Sequence, residues 1–226
     1  EIPLRLVGSE MCIRDRSLKI LLWACIAIYP QSYPFRSISV AEGLQDLIVN
    51  ALYKDSLGYI WIGTASSLER FDGVHLKSFP IPEEGKRKDV NTIIEMPGHE
   101  LWMGNRTGLW KVNGEKLLRV AADTIRSGVY SLCSDGKGTL YIGSESGLFI
   151  YNSKGVERIL LDPNVLSGAN FIMGMALDDR DILWVITRKG LYSVVLSGKS
   201  ILFHPCLMNG QVYEDGYNLS LIHISE

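Results

Sequence analysis

The chain has 226 residues, enough for one large or two small domains, and 46% of them are hydrophobic, the balance of a globular protein with a core. The formal net charge is −2, and the one basic run, at residues 86–88, lies between acidic residues in a mixed-charge loop. This composition offers no surface for a polyanion, so nucleic-acid binding by this region is disfavoured.

Both ends of the chain resemble translated sequencing-adapter DNA. Residues 7–16 read VGSEMCIRDR and residues 219–226 read LSLIHISE. We interpret residues 1–16 and 219–226 as artefacts of that origin, the alternative being genuine terminal segments. Cys12 and His223 therefore support no chemical hypothesis.

A short apolar segment precedes the rest of the pattern. Residues 20–29 are apolar, follow Arg14, Arg16 and Lys19, and lead into a polar stretch that contains Pro30. They are too few to span a bilayer, which takes about 20 helical residues, but they suit the hydrophobic region of a secretory signal. We predict a signal-peptide helix at residues 17–32 and export of the chain; a buried helix or strand is the alternative.

A repeat follows this segment. Residues 50–64, 91–105, 130–144 and 173–187 align without gaps. Each segment has an aromatic residue at the same aligned position, here called the anchor, and the anchors lie 41, 39 and 43 residues apart: Trp61, Trp102, Tyr141 and Trp184. Two residues after the anchor come Gly63, Gly104, Gly143 and, in the fourth copy, Ile186. Six residues before it come Asp55, Met96, Asp135 and Asp178. Agreement over this many positions indicates a repeated structural unit.

Each copy reads as four short antiparallel strands. An apolar strand leads into a turn such as Asp55 to Gly58, and a dense apolar strand and two further strands follow. Four strands in a period of about 40 residues are typical of a β-propeller blade. The sequence therefore predicts an all-β fold, with a partial propeller at residues 33–218 and blades at about residues 43–82, 87–120, 123–160 and 166–204.

These residues resemble the repeat of the two-component regulator propeller from about residue 35 to residue 195. The likeness is fullest at residues 55–64 and 71–73, and Ser67, Met96 and Ile186 depart from the family pattern. The resemblance implies a ring of about seven blades in the periplasmic sensor of a hybrid histidine kinase anchored in the inner membrane. Such sensors detect glycan-derived oligosaccharides. The remaining blades, the downstream sensor domains and the kinase would then lie elsewhere in the parent chain, which is expected to dimerise, and this fragment would not be an enzyme.

The recurrent aromatic and acidic residues are predicted to be structural. One anchor and one glycine per blade at a strand position suit packing between blades better than a sugar-stacking platform, and aspartates at turns suit backbone capping better than catalysis. His75, His99 and His204 have no Cys or carboxylate at zinc-ligand spacing, so we expect neither a metal nor another cofactor. Cys133 and Cys206 stay open between free thiols and a disulfide, which export would permit.

Candidate ligand-binding residues follow from repeat geometry. Each comes directly after the second strand of its blade, so they are expected together on one rim of the central channel: Asn105, Arg106, Glu145 and Arg188. Two other functions remain open. One is a propeller enzyme resembling the streptogramin lyases, which would need a catalytic His and metal-binding carboxylates at the channel. The other is a secreted propeller that serves only as a binding scaffold.

Overall fold

The computed structural model of the chain describes residues 35–82, 88–197, 200–205, 207–208 and 211–212. The predicted signal peptide at residues 17–32, the two terminal segments and Cys206 lie outside these residues. In the part of the chain so described, the helices are two 3₁₀ turns, Val40–Glu42 and Gly168–Asn170. None of these helical segments is long and apolar enough to cross a membrane.

Every described strand belongs to a compact unit that begins at Ile38. Four antiparallel sheets follow one another, each with four strands paired in chain order. Blade 1 consists of β1 (Val49–Lys54), β2 (Ile60–Thr64), β3 (Leu68–Phe71) and β4 (Leu76–Phe79). Blade 2 consists of β5 (Val90–Met96), β6 (Glu100–Asn105), β7 (Gly108–Asn113) and β8 (Lys116–Val120). Blade 3 consists of β9 (Val129–Ser134), β10 (Leu140–Ser144), β11 (Gly147–Asn152) and β12 (Gly155–Ile159). Blade 4 consists of β13 (Ile172–Leu177), β14 (Ile182–Thr187), β15 (Gly190–Ser197) and β16 (Ser200–Pro205), and a short pair follows, β17 (Leu207–Met208) and β18 (Gln211–Val212). The predicted all-β fold with four antiparallel strands per blade is confirmed.

Successive blades pack face to face around their first strands. β1, β5, β9 and β13 contact one another in this order, which makes them the innermost strands. A hydrophobic cluster fills each of the three junctions, and in the first of them Trp61 of blade 1 meets Ile93 and Trp110 of blade 2. The anchors Trp61, Trp102 and Tyr141 are buried in these clusters, whereas Trp184 of blade 4 is only half-buried. The apolar second strands thus have both faces covered, as blade stacking requires.

The glycine after each anchor marks the closest approach of two blades. A Cβ at Gly104 would lie 2.4 Å from a Val129 methyl carbon of the next blade. A Cβ would lie 2.6 Å from Val90 at Gly63 and 2.5 Å from Ile172 at Gly143. Only glycine leaves room for the β-branched residue that begins the next innermost strand. Ile186 takes this position in blade 4, and among the described residues no further four-stranded blade packs against it.

The turn between the first and second strands is held by the aspartate that the repeat predicted there. Asp55 Oδ1 accepts hydrogen bonds from the backbone N–H of Leu57 and Tyr59, while Oδ2 accepts one from Trp61 Nε1 at 2.7 Å. Asp178 binds its own turn and Trp184 Nε1 in the same way. The aspartate therefore fixes both the turn and the anchor ring.

Candidate functional site

Each innermost strand has a β-bulge at the same place. Within each first strand, one residue has no partner in the ladder to the second strand: Asn50, Asn91, Tyr130 and Met173. A bulge turns its extra residue out of the ladder, and these four side chains face one open cleft of about 460 Å³ at the centre of the arc. The cleft is completed by Ile48, Ala65, Asp89 and Arg106. The bulge thus gives every blade one side chain at the centre.

The connectors between second and third strands form a rim beside this cleft, and two of their residues, Ala65 and Arg106, line it. Ala65, Arg106, Glu145 and Arg188 stand at the same position in successive blades, four residues after the anchor. Three of them donate a backbone N–H to the start of their own innermost strand: Ala65 to Ile48, Glu145 to Gly128 and Arg188 to Phe171. These bonds hold the connectors beside the bulges. The side chains of Arg106, Glu145 and Arg188 are exposed there.

Tyr130 is the residue around which the rim side chains meet. Its hydroxyl donates to Glu145 Oε1 at 2.6 Å, and its ring lies 5.2 Å from that of Phe171. The guanidinium of Arg188 lies 3.6 Å from the centre of the Phe171 ring. Burial, the hydrogen bond to Glu145 and the charge of Glu145 raise the pKa of Tyr130 to about 12, against the opposing charges of Arg106 and Arg188. The Tyr130 hydroxyl therefore stays protonated at neutral pH and acts as a hydrogen-bond donor.

One ion pair and one hydrogen bond between blades lie at the same level. Arg106 Nε lies 2.9 Å from Asp89 Oδ2 within blade 2, and Asn91 Nδ2 of blade 2 donates to the carbonyl of Val129 of blade 3 at 2.8 Å. Gly128 lies close to the Tyr130 ring, since a Cβ at Gly128 would lie 3.2 Å from it. The rim therefore presents guanidinium, carboxylate, amide and aromatic groups within one cleft, a mixture suited to a polyhydroxylated ligand.

Asn105 does not belong to this surface, contrary to the expectation that it lies on the rim. It is the last residue of β6 and is fully buried. Its Oδ1 accepts from the backbone N–H of Thr107 and Gly108 and from Trp110 Nε1. Because the Asn105 side chain is buried and bonded to its own connector, a ligand in the cleft cannot reach it. The rim candidates that the structure brings together are therefore Arg106, Glu145 and Arg188.

Tyr130, Phe171, Asp89 and Asn91 were not predicted from the sequence. A bulge does not lengthen the repeat, so the aligned spacing gives no sign of it. One signal was available, because Tyr130 stands in an aligned position where the other blades have Asn50, Asn91 and Met173. Among the residues whose side chains are described, no cluster of three His, Cys, Asp or Glu residues could hold a metal ion. Cys133 is a half-buried free thiol, and burial raises its pKa.

Comparison with known proteins supports the repeat and the fold. The family model of the two component regulator propeller matches residues 43–66, which confirms the resemblance seen in blade 1. No curated protein matches the chain by sequence.

Several solved structures share the arrangement of blades. The extracellular domain of BT4673 from B. thetaiotaomicron, described as a hybrid two component system, superposes with a TM-score of 0.62 at 22% identity, covering 74% of this chain and 23% of that domain. Virginiamycin B lyase from Staphylococcus aureus gives 0.59 at 14% identity, covering 75% and 59%. PorZ, a surface component of the type-IX secretion system of Porphyromonas gingivalis, gives 0.55 at 18%, covering 75% and 29%. The chain thus spans less than two thirds of each of these proteins, and at these identities the likeness shows a common propeller fold.

Proposed function

We propose that this chain is part of the ligand-sensing propeller in the extracytoplasmic region of a hybrid two-component system. Two observations support this. The two component regulator propeller model matches blade 1 directly, and the B. thetaiotaomicron domain with the same fold is extracellular. The chain would be periplasmic, and the parent protein would be anchored in the inner membrane and carry the kinase.

The ligand we propose is a glycan-derived oligosaccharide bound at the rim. The observation that supports it is the convergence of residues from all four blades on one open cleft of about 460 Å³. The Tyr130 and Phe171 rings offer a surface for the C–H face of a sugar, and the two arginines and Glu145 offer donors and acceptors for its hydroxyls. Phe171 already binds the Arg188 guanidinium, so a sugar would compete with or extend this stack.

Ligand binding would be signalled by a change in the arrangement of the propeller relative to the neighbouring domains of the parent protein. A ligand that contacts connectors of several blades favours the arrangement in which those connectors are correctly spaced, and it shifts the population towards that arrangement. This change of arrangement would be transmitted to the remaining blades, the downstream sensor domains and a second copy of the parent chain.

Calorimetric titration with a panel of oligosaccharides from plant and host polysaccharides tests the rim site. For a binding oligosaccharide, Arg188→Ala is expected to weaken affinity by about tenfold, the effect of one lost charged hydrogen bond. Arg180→Ala is the matched control, because Arg180 is also exposed but lies at the opposite turn of blade 4. Equal affinity of the Arg188→Ala variant and the unaltered chain would exclude the rim as the binding site.

A lyase-like enzyme is the second candidate, supported by the shared fold with virginiamycin B lyase. That structure is of a catalytically inactive H270A variant, so a histidine matters in that protein. The histidines described here with side chains are His75 and His99, and they lie at the β3–β4 and β5–β6 turns, away from the rim. Release of product from a streptogramin by the folded chain would favour this candidate over the sensor.

A further inference from the structure

A second cleft lies between blades 1 and 2, at the end of the blades opposite to the rim. Its volume is about 200 Å³, and its walls include Tyr59, Trp61, Arg70, Glu95, His99 and Leu101. It is formed by the β1–β2 turn of blade 1 and by the strand ends of blade 2 that face this turn. None of the rim residues contributes to it.

Arg70 is the unexplained group in this cleft. Its guanidinium lies 4.4 Å from the centre of the Tyr59 ring and 5.8 Å from that of Trp61. Its Nε is buried and has no hydrogen-bond acceptor, and no carboxylate of the described residues lies within ion-pair distance. A buried donor left without an acceptor is unfavourable. The aromatic rings hold the guanidinium in place without supplying an acceptor.

Blade 2 shows how the same position is satisfied inside the protein. Lys111 occupies the place of Arg70 and lies 5.5 Å from the Trp102 ring. Its ammonium pairs with Glu100 at 2.6 Å. The residue of blade 1 that corresponds to Glu100 is Tyr59. Blade 1 therefore keeps the cation over its anchor ring but has an aromatic ring in place of the acid.

The carboxylate of Glu95 in the same cleft is already engaged. Glu95 accepts hydrogen bonds from the backbone N–H and the hydroxyl of Ser56, at 2.7 and 2.6 Å, and lies 3.0 Å from His99 Nδ1. Burial acts to raise the pKa of Glu95, but these bonds outweigh it and lower the pKa. Asp55, the other carboxylate of the cleft, is bonded to its own turn and to Trp61 Nε1. Both carboxylates thus have their own donors, and the described residues supply no acceptor to the half-buried Arg70 side chain.

We propose that this cleft binds a small organic carboxylate, with the carboxylate on the Arg70 guanidinium. A planar guanidinium matches a carboxylate through two parallel hydrogen bonds. The volume of about 200 Å³ equals about seven water molecules, enough for one sugar acid but not for an oligosaccharide chain. The indole of Trp61 and the Leu101 side chain provide apolar walls for the carbon skeleton, which favours an organic over an inorganic anion.

Calorimetric titration of the full chain with D-glucuronate tests this, with D-glucose and inorganic phosphate as comparators. Glucuronate is expected to bind one-to-one and at least about tenfold more tightly than either comparator, since only it offers both a carboxylate and a ring. Equal affinity for glucuronate and glucose would show that the cleft does not recognise the carboxylate. Tighter binding of phosphate than of glucuronate would show that the cleft prefers an inorganic anion, and it would overturn the proposal.

Variants separate binding from folding. Arg70→Met keeps the apolar stem and should weaken glucuronate binding about tenfold or more. Tyr59→Glu retains Arg70 but gives it the internal partner that Lys111 has, so it should weaken binding to a similar extent without loss of thermal stability. Lys111→Met is the matched control and should leave the affinity within about twofold.

The rim and this cleft can be tested independently. Arg188→Ala should leave glucuronate binding unchanged, so failure of one site says nothing about the other. Unchanged affinity in both Arg70→Met and Tyr59→Glu, in chains whose circular dichroism matches the unaltered protein, would overturn the proposal.

Discussion

The indole N–H of the tryptophan anchors is bonded in blades 1 and 4 but not in blade 2. In blades 1 and 4 it donates to the turn aspartate, at 2.7 and 3.3 Å. In blade 2 the aspartate position holds Met96, and the buried Trp102 Nε1 has no acceptor among the described residues. The turn of blade 2 thereby loses both its cap and its link to the anchor.

Met96→Asp should restore both bonds. The new carboxylate would accept from Trp102 Nε1 and from the backbone of the turn, as Asp55 does in blade 1. Met96 is itself buried in the hydrophobic cluster between blades 2 and 3, so Met96→Ala, which loses the same burial, is the reference. We expect the free energy of unfolding of Met96→Asp, measured by urea denaturation, to exceed that of Met96→Ala by about 1 kcal/mol, the net effect of an intramolecular hydrogen bond. Met96→Asn, which keeps an acceptor but no charge, should give part of this difference. Stability of both variants at or below that of Met96→Ala would contradict the role assigned to the aspartate.

Glu69 is a buried acid at a position where blades 2 and 3 have the buried rings of Trp110 and Phe149. Ser67 Oγ and Gln45 N–H donate to its Oε1, whereas Oε2 has no partner among the described residues. Burial raises its pKa, and these two hydrogen bonds only partly offset that effect. The folded chain therefore prefers the protonated form of Glu69 more strongly than the unfolded chain does.

The pH dependence of stability has a defined sign at this residue. Because the pKa of Glu69 is raised in the folded chain, protonation of Glu69 favours folding. This contribution to stability is fully present below the ordinary pKa of Glu, about 4.3, and is lost as the pH rises through the folded pKa. Glu69→Gln should therefore raise the melting temperature at pH 7 by about 2–4 °C, equivalent to about 1 kcal/mol in a chain of this length, and by less at pH 4. Thermal unfolding followed at both pH values measures this. An equal shift at both would mean that the charge of Glu69 is not the cause.

At the scale of elements, the turn between first and second strands repeats one backbone geometry. The residue three before the anchor has a positive φ in every blade: 92° at Gly58, 61° at His99, 110° at Gly138 and 58° at Asp181. This region is accessible to glycine at no steric cost and is strained for other residues. Blades 2 and 4 therefore have a strained residue where blades 1 and 3 have glycine.

Asp181→Gly should stabilise blade 4. Relief of the left-handed backbone is expected to outweigh the added freedom of the unfolded chain, for a net gain of about 0.5 kcal/mol. The exposed ion pair with Lys137, at 3.7 Å, contributes little to stability. Asp179→Gly in the same turn is the control: Asp179 is not among the residues with positive φ, so glycine there should cost about 0.5–1 kcal/mol. The prediction is wrong if the two variants change the urea midpoint in the same direction.

The strands could be predicted from the repeat because each strand occurs in every blade and packs in the same way there. Gly104 could be read as a close approach, since glycine recurs at that position in two other blades. Asn105 could have been placed correctly by the same reasoning, because the aligned residues of the other blades, Thr64, Ser144 and Thr187, are all small and polar, as suits a residue that bonds its own connector. The meeting of Tyr130 with Phe171 depends on neighbouring blades and a bulge, and spacing along one chain contains neither.

At the scale of the whole molecule, the outer face of blade 1 differs from the internal junctions between blades. Leu52 is 68% exposed, whereas its counterparts Ile93, Leu132 and Met175 are each 8% exposed beneath the preceding blade. Among the described residues no blade covers this face of blade 1. An apolar face of a blade next to free strand edges favours association with another chain. We expect another blade to cover it in the parent protein, and copies of this chain to associate through it when they are alone.

Leu52→Ser should reduce that self-association. Removing one exposed leucine from an interface lowers the driving force by about 1.5–3 kcal/mol if the side chain becomes fully buried there, which is about a tenfold or larger change in the dissociation constant. Sedimentation velocity over a concentration series measures it. Leu57→Ser is the matched control, because Leu57 is 64% exposed but lies in the β1–β2 turn rather than on the face. A chain that sediments as a monomer at every concentration, or one that Leu57→Ser and Leu52→Ser affect equally, would show that this face does not drive association.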